Sequence, residues 1–514
     1  MQTQVDLLII GGGINGAGIA RDAAGRGLSV ALCEQGDLAG ATSSASSKLI
    51  HGGLRYLETG QFRLVHESLA ERETLLSIAP HLMCPTRFVI PHTPQLRPAW
   101  MMRLGLIFYD FLGGRLCTSC GLRSLPAAQT VDLTSSPYGQ ALQADYRTGF
   151  VYSDVQTDDA RLVILNLRDA AERGASILPR TRLISARREG DLWCATLLDT
   201  ITGRMKDYHA RALVNAAGPW VASLFDRLPT GQRKYGIRLV KGSHIVVPRL
   251  YDGKHAYTLQ HTDRRIIFLL PWEQNFTLIG TTDIELSNPA EPAQISAEEV
   301  AYLCAAVNRY TQQQVQPGDV VWQFSGVRAL FDDGKDNAGI ASTLSRDYRL
   351  QLDDVAGKAP LLSVFGGKLT TYRRLAERAM EKLQPWLPIS GNAEPAIGRP
   401  WTAHSALPGG DCPLADAISQ LQARHPNLPL AWLEQIARRH GSRTLRLLAD
   451  VRETKDLGLD FGGGLYEIEV THFIAHEWAQ EADDILWRRT KAGLHMTPEQ
   501  RACFADWFNS CNLP

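Results

Sequence analysis

Three glycines, a distal acid and a cluster of histidine, arginine and tyrosine are the residues whose types and spacing suggest chemistry. Gly11, Gly13 and Gly16 form a G-x-G-x-x-G pattern, and Glu34 follows further along. Between a strand and a helix, such glycines serve a tight turn, close approach of backbone to a pyrophosphate, and close packing of helix on strand. An acid at the end of the next strand accepts hydrogen bonds from a ribose diol and repels a 2′-phosphate. The helix start beyond the glycines offers N–H groups and a positive dipole end to phosphates. The stretch SSASSKLIHGGLRYLE, Ser43 to Glu58, comes next; it opens like a solvated linker and closes on His51, Gly52, Gly53, Arg55 and Tyr56. The hydroxyls of Thr42, Ser43, Ser44, Ser46 and Ser47 suit phosphate oxygens and backbone, so the stretch reads as a site that leads from cofactor to substrate.

Two later segments have the same strand-then-glycine character. ALVNAAGPW, Ala212 to Trp220, is an apolar run ending in the small residues Ala216, Ala217 and Gly218, where backbone can come close to a cofactor. LLSVFGGKLTTYRRLAERA, from Leu361, is a strand, a double glycine and a helix whose first turn carries Thr370 and Thr371. Such a helix start, with Lys368 beside it, suits the pyrimidine end of a flavin, where negative charge develops on reduction. Taken alone, each segment also has a packing explanation.

The elements that must position these residues follow from periodicity. Residues 5 to 34 read strand, glycine turn, helix, strand, a parallel βαβ unit. Residues 237 to 283 alternate short β-rich runs with turns and predict antiparallel strands in a second, mixed domain. From about residue 400 the character becomes helical, and THFIAHEWAQEADDILWRRT places Phe473, Ile474, Trp478, Ala482, Ile485 and Leu486 on one stripe of an amphipathic helix.

Composition narrows the class. The chain of 514 residues is 44% hydrophobic and 21% charged, and its 54 basic residues balance 54 acidic ones. That describes a globular protein of two or three domains with no global field for nucleic acid, so any anion site is a local cluster. Nine scattered cysteines suggest reduced thiols. The CxxC of Cys117 and Cys120 lacks the partners of a zinc site, and His472 and His476 lack an HExxH context, so no metal is expected. A strand-like VDLLII at the start, without a basic leader, suggests the cytoplasm. The longest apolar run, AWMMRLGLIFYDFL, is interrupted by Arg103 and Asp110 and is too short to cross a bilayer. It is either an interfacial element or a core helix.

With these motifs in view, the sequence resembles the bacterial aerobic, quinone-linked, FAD-dependent glycerol-3-phosphate dehydrogenases. The resemblance rests on GGGINGAGIARDAAGRG, ATSSASSKLIHGGLRYLE, KGSHIVVP, IGTTD, SGVRAL, LLSVFGGKLTTYR and ADDILWRRTK; it covers nearly the whole chain and is weakest over 113–140 and 386–430. It implies an α/β fold with a Rossmann-like FAD-binding domain of the glutathione-reductase/D-amino-acid-oxidase type, a mixed antiparallel-sheet substrate domain and a C-terminal helical domain. The corresponding boundaries are 1–85, 145–230 and 330–395 for the discontinuous FAD domain, 86–144 and 231–329 for the substrate domain, and 400–514 for the helical domain. It further implies non-covalent FAD held by Gly11, Gly13, Ile14, Asn15, Gly16, Glu34, Thr42, Ser43, Ser44, Ser46, Ser47, Lys48, His51, Gly52, Leu183, Ala216, Ala217, Gly218, Gly366, Gly367, Lys368, Leu369 and Thr370.

The implied reaction oxidises glycerol 3-phosphate to dihydroxyacetone phosphate, with hydride moving from C2 to flavin N5 and the hydroxyl proton to a base. The phosphate calls for cations, and Arg55, Arg328 and Lys368 fall inside the shared motifs, with Tyr56, Thr281 and Thr282 as hydroxyl donors. For the base the choice stands among His51, His244 and Arg328, a histidine being favoured by its ordinary pKa. The implied partners are ubiquinone or menaquinone and the inner face of the cytoplasmic membrane, reached by a peripheral protein; nucleic acid is not among them and a homodimer stays open. Competing readings are a glycerol-3-phosphate oxidase using oxygen, an amine or amino-acid oxidase, and a non-enzymatic or tRNA-modifying flavoprotein.

Overall fold

The computed structural model describes residues 3–93, 97–114, 125–228, 236–263, 265–288, 293–332, 347–354, 358–388 and 398–511. Cys117 and Cys120 lie outside the described residues.

The apolar run Thr3–Ile10 forms the centre of a parallel sheet because both of its faces are covered: Leu7, Leu8 and Ile9 are fully buried. Met205–Asn215 pairs on one side of it and Val30–Cys33 on the other, all parallel, and the sheet continues outward through Leu361–Phe365 and Ser176–Leu178. Antiparallel strands Thr181–Glu189 and Leu192–Asp199 are joined to it through Met205–Asn215. The helices Ile14–Gly25, Asp159–Glu172 and Tyr372–Leu383 share one face of this sheet. Alanines at 17, 20, 23 and 24 and the bare Gly18 let the first of them lie close, since a Cβ at Gly18 would stand 2.7 Å from the Tyr372 ring.

Among the described residues the second sheet has ten strands and is antiparallel except where Ala256–Gln260 runs beside Met83–Pro91. Its backbone is the long pairing of Gly236–Pro248 with Trp322–Asp332, which sets Val240 opposite Arg328 and His244 opposite Phe324. The expected antiparallel run over 237–283 is present. Strand pairing departs from the expected boundaries, and Met83–Pro91 and Trp322–Asp332 each run across one of them. Leu49–Ile50 and Thr148–Thr157, expected with the cofactor domain, pair with each other in the second sheet, and Thr148–Thr157 pairs in turn with Met83–Pro91. Hydrogen bonding across distant sequence, which local patterning does not encode, decides that membership.

The C-terminal region is helical, with cores of its own around Phe473 and Phe504 and around Leu433 and Ile436. The single amphipathic helix expected over 471–490 is two elements. Glu467–Glu477 stops at Trp478, whose φ of 57° is left-handed, and the chain restarts as a wide-turned helix, Asp484–Arg489. Asp484 causes the break: its carboxylate accepts hydrogen bonds from the Gln480 and Glu481 N–H groups at 2.9 and 3.0 Å, a local alternative to continuing the helix.

Ala99–Gly114 is one helix, and it is not a core helix. Leu106, Tyr109 and Leu112 face inward, while Trp100, Leu104 and Ile107 are 65%, 56% and 54% exposed and Met101, Phe108 and Phe111 accompany them. Phe62 of the neighbouring helix Phe62–Ile78 stands edge-on to Phe108 and extends this apolar surface. Among the described residues, no helix is long and apolar enough to cross a membrane.

Candidate active site

A cavity of about 680 Å³ runs from the carboxyl ends of the parallel strands to the second sheet. This is where open α/β sheets bind ligands. At its first end the chain leaves Ile10 through Gly11, whose φ of 112° only glycine tolerates and where a Cβ would stand 2.5 Å from the Ala216 carbonyl. Gly11, Gly13, Ile14 and Asn15 line the cavity with Ala216, Ala217 and Gly218 opposite. Gly16 does not line it; a Cβ there would lie 2.0 Å from the Gly11 oxygen, so this glycine closes the turn from behind. The Glu34 carboxylate lines the cavity and accepts the Gly12 and Gly36 N–H groups at 2.8 Å each. Burial pushes its carboxyl up, and those backbone donors pull it back.

The serine-rich stretch is a site wall knitted to the protein. Ser43 Oγ accepts the Ile14 N–H at 2.9 Å, Thr42 donates to the Val327 carbonyl at 2.8 Å, Ser46 donates to Asp159 at 2.7 Å, and Ser47 meets His244 Nε2 at 2.9 Å. These four line the cavity, yet most of their bonding goes to protein groups, because a tight turn of short hydroxyl residues must satisfy its own buried backbone. Ser44 bonds back to the Ala41 carbonyl and does not line the cavity. Lys48, expected at the cofactor, is instead a buried structural cation: its Nζ pairs with Asp159 at 2.6 Å and donates to the Ser44 carbonyl at 2.8 Å. Gly52 is also displaced from its expected role. It packs on Leu69 and Tyr109, and its N–H donates to Tyr109 Oη at 2.8 Å.

The second end gathers His51, Tyr56, Gly242, His244, Phe268, Thr281, Arg328 and the turn Gly366 to Thr370. Gly366 and Gly367 take φ of 70° and 101°, which brings Lys368, Leu369 and Thr370 round to the cavity, and Asn15 Nδ2 donates to the Gly366 carbonyl at 3.0 Å. Lys368 Nζ stands 3.9 Å from the centre of the Tyr56 ring, and Arg328 pairs with Asp283 at 2.5 Å. The His51 N–H donates to Thr370 Oγ1 at 3.3 Å and its ring is edge-on to Phe268. His244 is stacked on Phe324, and its buried Nδ1 has no hydrogen-bond partner among the described residues. Burial first, then the Arg328 and Lys48 cations, hold its pKa well below the usual histidine range, so its ring is neutral and a poor proton acceptor.

Two expected substrate residues stand elsewhere. Arg55 does not line the cavity: it neighbours Tyr56 in the one-turn 3-10 helix Leu54–Leu57, where adjacent side chains diverge by about 120°. Thr282 is buried, donating to Glu299 at 2.7 Å and accepting the Ser243 N–H at 3.0 Å. Leu183 lines the cavity as expected, and with it come Asp37, Arg180, Arg182, Arg227 and Arg488, which sequence reasoning missed. Arg488 pairs with Asp37 across 451 positions, a separation that no local pattern reports.

The family model described as FAD dependent oxidoreductase matches residues 6–373, and the one described as the C-terminal domain of alpha-glycerophosphate oxidase matches 400–506. The chain belongs to the FAD-dependent oxidoreductase family. Among its relatives in this family, the glycerol-3-phosphate dehydrogenase of Pseudomonas aeruginosa is 51% identical over 98% of this chain and 95% of its own length. The aerobic glycerol-3-phosphate dehydrogenase of Escherichia coli is 49% identical over 99% and 97%. The D-erythritol 1-phosphate dehydrogenase of Brucella abortus is 48% identical over 99% and 98%. In fold, the Bacillus halodurans glycerol-3-phosphate dehydrogenase complexed with FAD superposes with a TM-score of 0.73 over 99% of this chain and 94% of its own, at 24% identity. FAD is therefore the cofactor, and the cavity fits it: a glycine turn too tight for any Cβ, a helix start facing the cavity and a carboxylate at the ribose position are the parts an extended dinucleotide needs.

Proposed function

We propose that the protein oxidises sn-glycerol 3-phosphate to dihydroxyacetone phosphate. The observation that carries this reading is the convergence of Arg328 and Lys368 with Tyr56, Thr281 and two histidines at the end of the cavity formed by Gly366 to Thr370. In a chain of balanced charge, two cations on one small pocket suit a phosphate dianion. FAD, when bound, supplies the acceptor for the C2 hydride. Gly11, Gly13, Ile14 and Asn15 would hold its pyrophosphate side, Glu34 its adenosine ribose, and Gly366 to Thr370 its ring. Arg328 and Lys368 hold the phosphate, and Thr281 orients the hydroxyls. His51 accepts the C2 hydroxyl proton, since His244 is held too low to do so and, through Ser47, positions the loop instead. The turn Gly280 to Asp283 is fixed from below by Glu299, which accepts from Thr282 and Ser243 and pairs with Lys241 at 2.8 Å.

Purified protein should show flavin absorbance that bleaches without oxygen on addition of glycerol 3-phosphate; absorbance that persists would sink this reading. The relative named for D-erythritol 1-phosphate supports a second reading, a four-carbon polyol phosphate on the same anion pocket. The ratio of kcat/KM for the two substrates under the same conditions decides between them.

The electron acceptor in this reading is a ubiquinone or menaquinone at the cytoplasmic membrane. What supports it is the apolar outer face of Ala99–Gly114 with Phe62, seven large side chains left to solvent. Burying each would contribute about 1 kcal/mol, enough in sum for peripheral docking. Changing Trp100, Leu104 and Ile107 to polar residues should abolish sedimentation with phospholipid vesicles while flavin content stays intact; unchanged sedimentation removes this segment from the role. A high peroxide yield in air, with no quinone reduction, would favour oxygen as the acceptor.

A further inference from the structure

The C-terminal helical region reaches the cofactor cavity at the Glu34 end. Arg488, in the wide-turned helix Asp484–Arg489, is the cavity-lining residue that this region contributes among the described residues. It stands in a compact group of charges. Its Nε pairs with Asp37, and its Nη2 pairs with Asp484 at 2.5 Å. Arg489, fully buried, holds both Asp37 oxygens, at 2.5 and 2.8 Å, and Arg180 bonds Asp484 at 3.0 Å. Asp37, Asp484 and the more exposed Glu481, which pairs with Arg180 at 3.0 Å, thus face Arg180, Arg488 and Arg489, so the group is balanced in charge and Arg488 is the member that borders the cavity.

We infer that Arg488 is a cofactor-binding residue for the adenosine half of FAD, and that docking of the C-terminal region is a requirement for cofactor retention. The inference rests on the proposed placement of the adenosine ribose at Glu34. A guanidinium at this position offers a planar face to a purine and donors to its ribose and phosphates. The two carboxylates explain why an arginine can stand here permanently: they hold the fork in place before the cofactor arrives, so little side-chain order is lost on binding. Arg488 is also redundant for the fold. Without it Asp37 keeps Arg489 and Asp484 keeps Arg180, so no buried charge is stranded.

That redundancy makes Arg488→Met a clean probe. FAD is titrated into apo-protein by quenching of flavin fluorescence, and apo-protein melting is recorded in parallel. The variant should bind FAD on the order of tenfold more weakly or worse, as expected for loss of a charged donor, and ADP should protect it less well than wild type against FAD rebinding. Melting of the apo-protein should change little. Arg443→Gln, which breaks an exposed ion pair with Glu172 in the same interface but outside the cavity, should leave the FAD affinity as in wild type. An affinity of Arg488→Met within twofold of wild type overturns the inference while leaving the FAD reading intact. If wild-type protein binds no FAD, both fall together. Should Arg488→Met fail to fold, Arg488→Lys keeps the charge, loses the planar fork and is read by the same criteria, with a smaller rise expected.

Discussion

Tyr109 links the exposed helix Ala99–Gly114 to the segment that carries His51, and replacing it by Phe tests whether that link positions the site. The hydroxyl is fully enclosed. It accepts the Gly52 N–H at 2.8 Å and donates to Asp154 at 2.8 Å, and Arg72 holds the same carboxylate at 2.8 Å. Burial pushes the Asp154 carboxyl up to about 6 even with these partners in place. Removing the hydroxyl strands a buried amide donor and takes one donor from a carboxylate already short of solvation. Each unsatisfied buried group costs about 1–3 kcal/mol, so the two together cost roughly 2–6 kcal/mol. The acceptor left to the Gly52 N–H is the Asp154 carboxylate, and turning toward it shifts Gly52 and with it the adjoining His51. Part of the cost should then appear in turnover: anaerobic flavin reduction slowed about tenfold or more, each 1.4 kcal/mol being a factor of ten, with KM for the substrate within about twofold because Arg328 and Lys368 are untouched. Stopped-flow reduction and thermal melting of the same preparation separate the two contributions. Wild-type rates with wild-type melting would refute the reasoning, and a lowered melting temperature with an unchanged rate would show that Tyr109 serves stability alone.

Other perturbations have equally specific outcomes. Gly16→Ala places a Cβ 2.0 Å from the Gly11 oxygen and should yield protein without flavin, measured by its absorbance ratio. Lys48→Met leaves the buried Asp159 without its ion-pair partner, so melting should drop by the equivalent of about 3–5 kcal/mol; a variant with normal melting but weakened FAD binding would return Lys48 to the cofactor. His81 is buried with no partner on either ring nitrogen among the described residues, and burial first, then Arg161, holds its pKa at about 3. Its folded pKa is below the unfolded value, so the unfolded chain binds the extra proton, and stability is lost as pH falls from about 6.5 toward 3. His81→Leu should therefore flatten the acid side of the stability curve by about 1.4 kcal/mol per pH unit relative to wild type, measured by urea unfolding at stepped pH.

What could be read locally was chemistry bound to short, contiguous patterns. The strand, glycine turn, helix and acid of residues 3–34 are legible because each glycine answers a steric demand of its own neighbourhood. The double glycine before Lys368 is legible for the same reason. His51 and Tyr56 follow from the same stretch. Where side chains of one type compete for several partners, the sequence was silent. Ser46, Lys48 and Thr282 have the polarity of ligands, yet Asp159 and Glu299, brought in by distant helices, claim them first.

Residue types, their spacing and the apolar periods were enough to determine a dinucleotide-binding unit, a mixed second sheet and a reservoir of cations near a flavin. Only the tertiary structure decided which cations face the cavity. Arg328 and Lys368 do while Arg55 does not, and Arg488 arrives from the far end of the chain. It likewise decided that Ala99–Gly114 turns its apolar side outward. The physical reason is common to these cases: side-chain direction and burial depend on strand register and on which elements dock, and those are set by contacts between residues hundreds of positions apart.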